Sequence, residues 1–323
     1  MSLWSRWLAL LDRKESGLSL ALLRIGVGLC SLYTTGSVVA AGMVPVLWMD
    51  REHGGYLALG KVWWLVDALG GPTPTVVWGL VTASLLGSAL LTLGLFSRLG
   101  AFVALQSLMA LTWINTSAGG SYDDLTTNAL WLLVLAEGDA TLSLRCRLRE
   151  GRWSSERPVS AWPRYLFVLQ LVVMYASTAS QKLSAYWTPG GDFSALYYIL
   201  QQPTWQRYDM RWVGRFFPVT QLATASTWFW ELGSPALALA LYYRDTRERA
   251  GRLRALFNRL DVRTLYVSFG VLLHLGIHLL MVVGPFSFIT LSYYFAAFHP
   301  DELARIGRSL RRVSRTPPSP AGS

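Results

Sequence analysis

Long apolar runs recur along the chain, separated by shorter stretches that contain most of the charged residues. A helix needs about 20 apolar residues to cross a bilayer core of about 30 Å. Helices are expected because lipid leaves open backbone groups without partners. The pattern therefore predicts an all-α integral membrane protein, a bundle of about eight transmembrane helices. The predicted spans are roughly 18–44, 75–95, 99–115, 125–142, 163–183, 219–243, 264–283 and 285–299.

The ends of the chain are predicted to lie outside this bundle. Residues 1–17 are expected to form an interfacial helix on the membrane, and 18–300 the transmembrane domain. One helical face of the first segment is apolar and consists of Leu3, Trp4, Trp7, Leu8 and Leu11. Its apolar run is short and contains Arg6, so we do not expect a cleavable signal peptide. Residues 301–323 are predicted to be a basic, disordered cytoplasmic tail.

Two connecting segments, 45–74 and 184–218, are long enough to fold between spans. Both are rich in Trp and Tyr, residues that favour the headgroup region of a bilayer. We expect them to form short surface helices that roof a cavity on the outer side.

Composition supports a membrane protein and suggests its orientation. The 323 residues are 52% hydrophobic and only 15% charged, too little charge for a soluble domain of this length. The net charge of +10 could indicate nucleic acid, but the arginines cluster in loops between apolar runs. Of 29 Lys and Arg residues, 22 fall on one side of the predicted bundle and 6 on the other. We therefore expect both termini in the cytoplasm, an inner-membrane location, and no nucleic-acid partner.

Neither a disulfide nor a metal site is expected from the cysteines and histidines. Cys30 and Cys146 fall at different depths, and the chain has no Cys-x-x-Cys pattern. His274 and His278 have the i, i+4 spacing of metal ligands. They lack a third ligand nearby, and residues of this kind are more often hydrogen-bonded within a bundle.

Polar side chains inside the predicted spans are the candidates for chemistry, because a charge at the bilayer centre costs about 2.5–3.5 kcal/mol. Several lie at helical spacing, and three such stripes could face one another and line an outward-open polar cavity at the depth of Lys182. The residues are Tyr175, Thr178, Lys182 and Tyr186 in span five, Thr220, Thr224, Thr227, Glu231 and Ser234 in span six, His274 and His278 in span seven, Arg24 in span one, and Asp123, Asp124, Thr126, Thr127 and Asn128 at the start of span four.

Each of these residues also has a structural explanation. Lys182 could extend its amine to the membrane surface, and Glu231 could pair with an internal cation such as Arg24. Asp124 could cap a helix. The threonines could simply hold helices together through hydrogen bonds.

Five segments, taken in order, resemble a known family. They are "SLALLRIGVGL" with Arg24, "LGLFSRLGAF" with Arg98, "DDLTTNALWLLVLAEGDATLSL", "ASQKLSAYWTPGG" with Lys182, and "LLHLGIHLLMVVGPFSFITL". Over about residues 17–300 the chain resembles the horizontally transferred transmembrane (HTTM) domain of the vitamin K-dependent gamma-glutamyl carboxylase family.

The resemblance implies a site around Lys182, which matches the lysine that deprotonates vitamin K hydroquinone in that family. A reduced quinone would then be the cofactor, and His274 and Asp124 would be catalytic with Lys182. In the animal carboxylase of this family a histidine assists the base, and Asp124 stands at the corresponding position here. The animal carboxylase also has a large lumenal domain and a propeptide-binding apparatus, and we expect no counterpart of either in this chain. Cofactor-binding residues would be Tyr175, Thr178, Tyr186, Trp187, Glu231 and His278, while Arg24 and Arg98 would be structural charges.

Two functions remain open from the sequence. The first is a membrane enzyme that uses Lys182 as a base on a lipophilic quinol. The second is a non-catalytic bundle that binds or transports a lipophile, or serves as the membrane subunit of a protein partner. In this second case Lys182 and Glu231 would only neutralise each other. A salt bridge at Lys182 would favour the second, and an apolar pocket open to lipid would favour the first.

Overall fold

The computed structural model describes residues 2–55 and 63–313 and is mostly helical, at 74%. Six short 3-10 turns in this part of the chain are Arg51–His53, Thr116–Ala118, Ala185–Trp187, Pro189–Gly191, Arg211–Phe216 and Tyr294–Ala297. Its sixteen α-helices are α1 Leu3–Leu11, α2 Leu18–Ala40, α3 Val44–Trp48, α4 Trp64–Ala68, α5 Pro74–Leu93, α6 Ser97–Ile114, α7 Ser121–Leu135, α8 Leu144–Glu150, α9 Trp162–Gln181, α10 Ala195–Gln201, α11 Phe217–Leu232, α12 Pro235–Asp245, α13 Arg252–Arg259, α14 Val262–Leu280, α15 Phe286–Tyr293 and α16 Pro300–Val313.

Four of the described helices are long and apolar enough to cross a membrane: α2, α5, α6 and α14. The other predicted spans also contain helices, namely α7, α9, α11 with α12, and α15, but these are shorter or more polar. The all-α fold expected from the apolar pattern is therefore confirmed, together with four helices that could cross a membrane.

Predicted span six is two helices rather than one. Helix α11 ends at Leu232, and α12 begins at Pro235 after Gly233 and Ser234. Proline has no N–H to donate and its ring collides with the preceding turn, so it is favoured at a helix start. The break leaves the carboxyl-terminal turn of α11, which contains Glu231, close to α9.

Two arginines, of which Arg24 is buried and Arg98 is exposed, hold the ends of neighbouring helices. Arg24, fully buried on α2, donates to the carbonyls of Leu91 at 2.8 Å and Leu142 at 2.6 Å. Arg98 donates to the carbonyl of Ala136 at 3.2 Å, just beyond the end of α7. Span four was predicted to run to 142, but the helix ends at Leu135, and these guanidinium groups provide partners for the carbonyls that follow.

Small residues let α5 and α6 approach closely. A Cβ on Gly87 would lie 2.7 Å from the backbone nitrogen of Ala104, and one on Gly100 would lie 2.8 Å from that of Leu91. Close backbone approach through small residues is typical of helix pairs in membranes, where lipid gives no hydrophobic drive for association.

The two connecting segments predicted to roof a cavity have different positions. Buried Val44, Trp48 and Val66 of the first pack against α5 and α6 in a cluster of their own. The second, from 184 to 218, lies over the ends of α9 and α11 and covers the candidate site. Lys61 of the first segment lies outside the described residues.

The amino-terminal and carboxyl-terminal elements meet at one end of the bundle. Strand β1, Lys14–Ser16, pairs antiparallel with β2, Pro158–Ser160, just before α9. Arg164 on α9 donates to both carboxylate oxygens of Glu15, at 2.9 and 3.1 Å. Helix α1 forms as predicted and exposes Trp4 and Leu8, whereas the side chain of Leu3 lies outside the described residues.

Helix α16 occupies residues that were predicted to be disordered from 301 onward. It begins at Pro300, and Asp301 and Glu302 lie in its first turn, where carboxylates favour the helix dipole. Glu302 also accepts hydrogen bonds from Arg263, at 2.7 and 2.9 Å, so this helix is anchored to the bundle. The prediction of disorder was thus wrong for 301–313, and residues 314–323 lie outside the described residues.

Candidate functional site

The candidate site begins where α9 ends. Gln181 is its last helical residue, and Lys182 has left helical geometry, with φ −76° and ψ 66°. The Ser184 side chain then accepts the N–H of Tyr186 and starts a new turn. Because the helix stops here, the Lys182 side chain projects from its end toward α11 instead of continuing the helical stripe.

Lys182 forms an ion pair with Glu231, its Nζ donating to Oε2 of the carboxylate. The lysine nitrogen also lies 4.3 Å from the centroid of the Trp187 ring, within the range of a cation–π interaction. The two charged side chains are only 14% and 9% exposed. In a buried pair each charge has lost its hydration and is stabilised by the opposite charge instead, whereas the charges of an exposed pair remain hydrated.

Glu231 belongs to a polar stripe that the sequence predicted correctly. Thr220, Thr224, Thr227, Glu231 and Ser234 are all buried on α11 and its end. The hydroxyl of Ser234 donates to the carbonyl of Val172 on α9 at 3.0 Å. The hydroxyl of Thr224 accepts the N–H of Leu196 on α10 at 3.1 Å. The stripe therefore serves as a hydrogen-bonded contact surface and places Glu231 opposite Lys182.

A partner for Glu231 inside the bundle was expected, and the structure provides one. The partner is Lys182, as the non-catalytic alternative had it, and not Arg24. Arg24 instead donates to backbone carbonyls, whose positions depend on where helices end and cannot be inferred from residue types.

A cavity of about 410 Å³ opens in front of the ion pair, and we call it the Lys182 cavity. Lys182 and Glu231 are the charged residues in its described wall; the rest of the wall is mainly apolar and aromatic. The wall consists of Gly119, Gly120, Ser121, Tyr122, Lys182, Trp187, Leu196, Ile199, Trp205, Thr227, Glu231, Leu273, Ile277, Met281, Val282, Val283, Gly284 and Phe286. A single ion pair in an apolar wall is the arrangement of a site that orients one polar group of a ligand.

An apolar groove of about 450 Å³ adjoins the cavity, and we call it the lateral groove. It runs between α11 and α14, beside the exposed side chains of Leu222 and Leu272. Cavity and groove have five wall residues in common, Leu196, Thr227, Leu273, Ile277 and Met281. The two spaces therefore lie side by side, and Lys182 and Glu231 line the cavity but not the groove.

His274 lies behind the cavity wall in a buried hydrogen-bonded cluster. Its Nε2 is hydrogen-bonded to the hydroxyl of Tyr175 at 2.8 Å, and that hydroxyl is bonded to the hydroxyl of Tyr294 at 2.8 Å. Trp230 packs against Tyr175, with ring centroids 4.5 Å apart. Phe286, which lines the cavity, has its ring centroid 5.4 Å from that of His274. His274 is thus adjacent to the cavity wall without being part of it.

The structure does not bring several predicted site residues to the cavity. Asp124 is exposed on α7, and Asp123 performs the capping expected of Asp124 by accepting the N–H of Gly120 at 2.8 Å. Thr178 is also exposed and does not line the cavity. The predicted stripe of span five fails beyond Gln181, because helical spacing no longer applies after the helix ends.

Tyr186 and His278 complete the comparison with the predicted site. Tyr186 is exposed and packs against Tyr198, with centroids 5.1 Å apart. His278 packs against Phe288 at 4.5 Å and does not line the cavity. Within residues 2–55 and 63–313, no three His, Cys, Asp or Glu side chains group so that they could hold a metal ion.

Sequence reasoning missed Tyr122, Trp205, Phe286 and Tyr294. The first three line the cavity, and Tyr294 is bonded to Tyr175. Trp205 lies in the aromatic connecting segment that was expected to roof a cavity, so its composition gave an indication. Tyr122 lies in the first turn of α7, directly before Asp123 and Asp124. Only the three-dimensional packing shows that Tyr122 lines the cavity.

Comparison with known proteins gave no match to a family model, to a curated protein or to a solved structure.

Proposed function

We propose that this chain is an integral membrane protein of the HTTM type that binds a lipophilic molecule, with the molecule's polar head at the Lys182–Glu231 pair. The observation that carries the proposal is that the lateral groove adjoins the Lys182 cavity and has five wall residues in common with it. A ligand with an apolar chain would lie in the groove, and its head would reach the ion pair. Apolar pockets with a few polar groups at one end are characteristic of such sites.

The proposal includes eight spans, with both termini in the cytoplasm and the Lys182 cavity facing the periplasm or exterior. Each of the eight predicted apolar runs contains a helix. The arginine-rich elements α13 and α16 contact the end of the bundle that holds β1 and β2, opposite the cavity. An inner-membrane protein whose cytoplasmic loops are rich in Arg and Lys would have this arrangement.

The chemistry of the pair suggests a ligand class. The ammonium of Lys182 can donate to an oxygen of the ligand, and the carboxylate of Glu231 can accept from a hydroxyl. Trp187, Trp205 and Tyr122 offer aromatic surfaces around the same space. A quinone or quinol ring with an apolar tail fits these groups, and its hydroquinone form would supply reducing electrons and phenolic protons. Lys182 and Glu231 would hold its oxygens, and the groove would hold its tail.

Binding without catalysis is the function that the ion pair favours. A lysine acting as a base must be neutral, and an adjacent carboxylate stabilises the charged ammonium instead. The pair is therefore suited to orient and hold a polar head.

The second candidate is a carboxylase-like enzyme with Lys182 as base, and a different observation favours it. The apolar lateral groove adjoins the cavity that Lys182 lines, and it would offer a lipophilic cofactor a path toward the lysine. If Lys182 is a base, Lys182→Arg should abolish quinol-dependent turnover as fully as Lys182→Ala, since guanidinium stays protonated. Full turnover in Lys182→Arg, at matched abundance in the membrane, would exclude Lys182 as the base, and no turnover in wild type would leave the binding protein.

The binding proposal is tested by filling the groove. Gly276 lines it, and an added Cβ there would meet nothing within 4 Å, so Gly276→Phe should fold and occupy the groove. Gly79 on α5 is equally open but lies away from both spaces, which makes Gly79→Phe the matched control. Mass spectrometry of lipophiles that co-purify should find a molecule with wild type and Gly79→Phe that is lost from Gly276→Phe. Equal recovery from all three would contradict the proposal.

A further inference from the structure

A second cavity lies at the opposite end of the bundle and has no wall residue in common with the Lys182 cavity. Its volume is about 410 Å³, and its wall is mainly charged. Side chains reach it from the chain after α1, from the end of α12 and the loop after it, and from α16. We call it the arginine pocket, and its wall consists of Arg13, Arg244, Asp245, Arg247, His299, Asp301, Glu302, Ala304, Arg305 and Arg308.

Two of the three acidic residues in this wall are already bound to groups of the bundle. Glu302 accepts from Arg263, and also from Arg244 at 3.0 Å. The carboxylate of Asp245 accepts from the hydroxyl of Tyr165 and lies 3.6 Å from Arg164. Arg164 and Arg263 are buried and do not line the pocket. They therefore neutralise much of the negative charge of Asp245 and Glu302 from inside the bundle.

Four guanidinium groups are left in the wall without a carboxylate. Within the described part of the chain, Arg13, Arg247, Arg305 and Arg308 have no carboxylate oxygen within 4.0 Å. Arg13 instead donates one hydrogen bond to the backbone carbonyl of Asp245, at 3.1 Å. Membrane orientation explains why arginines occur at this end, but it does not require four of them to border one concave space. Like charges held near one another favour an anion between them.

The surroundings place the pocket at the membrane surface. Helix α13 exposes Leu253, Leu256 and Leu260, which lie on one helical face, and α16 exposes Ile306 beside its arginines. Helix α1 exposes Trp4 and other large apolar side chains in the same way. Helices with an apolar face and a basic face lie in the headgroup region of a bilayer, so the pocket faces the layer where phosphates are concentrated.

We propose that the arginine pocket binds a phosphate group, either the headgroup of an anionic phospholipid or a soluble phosphate ester. The planar guanidinium fork matches a phosphate in two parallel hydrogen bonds, and basic pockets at the cytoplasmic ends of membrane helices are suited to lipid headgroups. This site is independent of the function proposed for the Lys182 cavity.

The test measures equilibrium binding to the delipidated, full-length protein in a neutral detergent. The probes are a short-chain phosphatidylglycerol, glycerol phosphate, and a short-chain diacylglycerol that lacks the phosphate. The variant is Arg305→Gln with Arg308→Gln. Its matched control is Arg252→Gln with Arg259→Gln, which removes two exposed arginines of α13 that do not line the pocket. None of the four has a carboxylate partner among the described residues, so we expect all variants to fold.

Phosphatidylglycerol should bind wild type and the control equally, and the Arg305→Gln, Arg308→Gln variant about tenfold more weakly, because charge-assisted contacts are lost. Diacylglycerol should not bind at the pocket. Glycerol phosphate that binds as tightly as the lipid would identify a soluble ester as the ligand, and weak binding would identify the lipid. The proposal is overturned if neither phosphate probe binds wild type, or if the pocket variant binds both probes as wild type does.

Discussion

Removing the charge of Glu231 should destabilise the folded protein strongly, because Lys182 would then be a buried cation without a counter-ion. Two unit charges about 4 Å apart attract by about 4 kcal/mol at an effective dielectric constant of about 20. Breaking a buried pair costs about 3–5 kcal/mol in measured cases. Since the two side chains are 14% and 9% exposed and border a cavity, we expect about 3 kcal/mol for Glu231→Gln. That loss lowers the folding equilibrium constant more than about a hundredfold.

A double-mutant cycle separates the pair from the other contacts of the two residues. Lys182→Met alone should also be destabilising, but Lys182→Met with Glu231→Gln should cost about 2 kcal/mol less than the sum of the single variants. The free energy of unfolding can be measured by tryptophan fluorescence as SDS is titrated into neutral detergent micelles. Arg211→Gln is the control. The side chains of Arg211 and Asp209 form an ion pair but are 90% and 57% exposed, so losing this pair should not change the free energy of unfolding measurably. Additive single effects would refute the claim that the two charges interact in the folded protein.

Three further predictions concern the rest of the fold. Burial alone would raise the pKa of Glu302, but hydrogen bonds and charge from Arg263 lower it from 4.5 to about 2. The ionised Glu302 carboxylate should therefore stabilise the folded protein above about pH 4.5, and this contribution should be lost as the pH falls toward 2. In detergent, Glu302→Gln should remove this pH dependence and lower the free energy of unfolding by about 2–3 kcal/mol at neutral pH. Arg24→Leu should cost about 3 kcal/mol in thermal or SDS unfolding, since it leaves buried carbonyls without donors, and an unchanged stability would contradict that role. In intact cells, a membrane-impermeant thiol reagent should label Gly190→Cys but not Gly307→Cys, and the reverse pattern would overturn the proposed orientation.

The helical fold, with four helices that could cross a membrane, and one face of the site could be predicted from local sequence. The stripe from Thr220 to Ser234 was recognisable because helical spacing holds throughout α11. The same logic failed for Tyr186, because α9 ends at Gln181 and the periodicity ends with it. Thr178 lies within α9 but is exposed, so its place in the helical spacing did not bring it into the site. Helix α16 has a proline and two acidic residues at its start, which are helix-start features, but the basic composition after 301 outweighed them in the prediction.

The long-range contacts of the site could not be predicted. Lys182 and Glu231 are 49 residues apart, and the sequence offered both Lys182 and Arg24 as partners of Glu231 without deciding between them. Arg24 was expected to have a carboxylate partner, but its partners are backbone carbonyls at helix ends. The bond between Tyr175 and Tyr294 likewise depends on how α9 and the turn after α15 pack. Only tertiary packing determines these partners.

Photo-crosslinking tests the central claim most directly, namely that a lipophile places its head at the Lys182–Glu231 pair. A quinone with a diazirine on its ring and a short isoprenoid tail would be irradiated with the purified protein, and the labelled peptides identified by mass spectrometry. We predict labelling of peptides that contain Trp187, Trp205 or Phe286, reduced by excess unlabelled quinone and by Gly276→Phe. Labelling that is spread over lipid-facing helices such as α5, and that neither excess quinone nor Gly276→Phe reduces, would contradict the account.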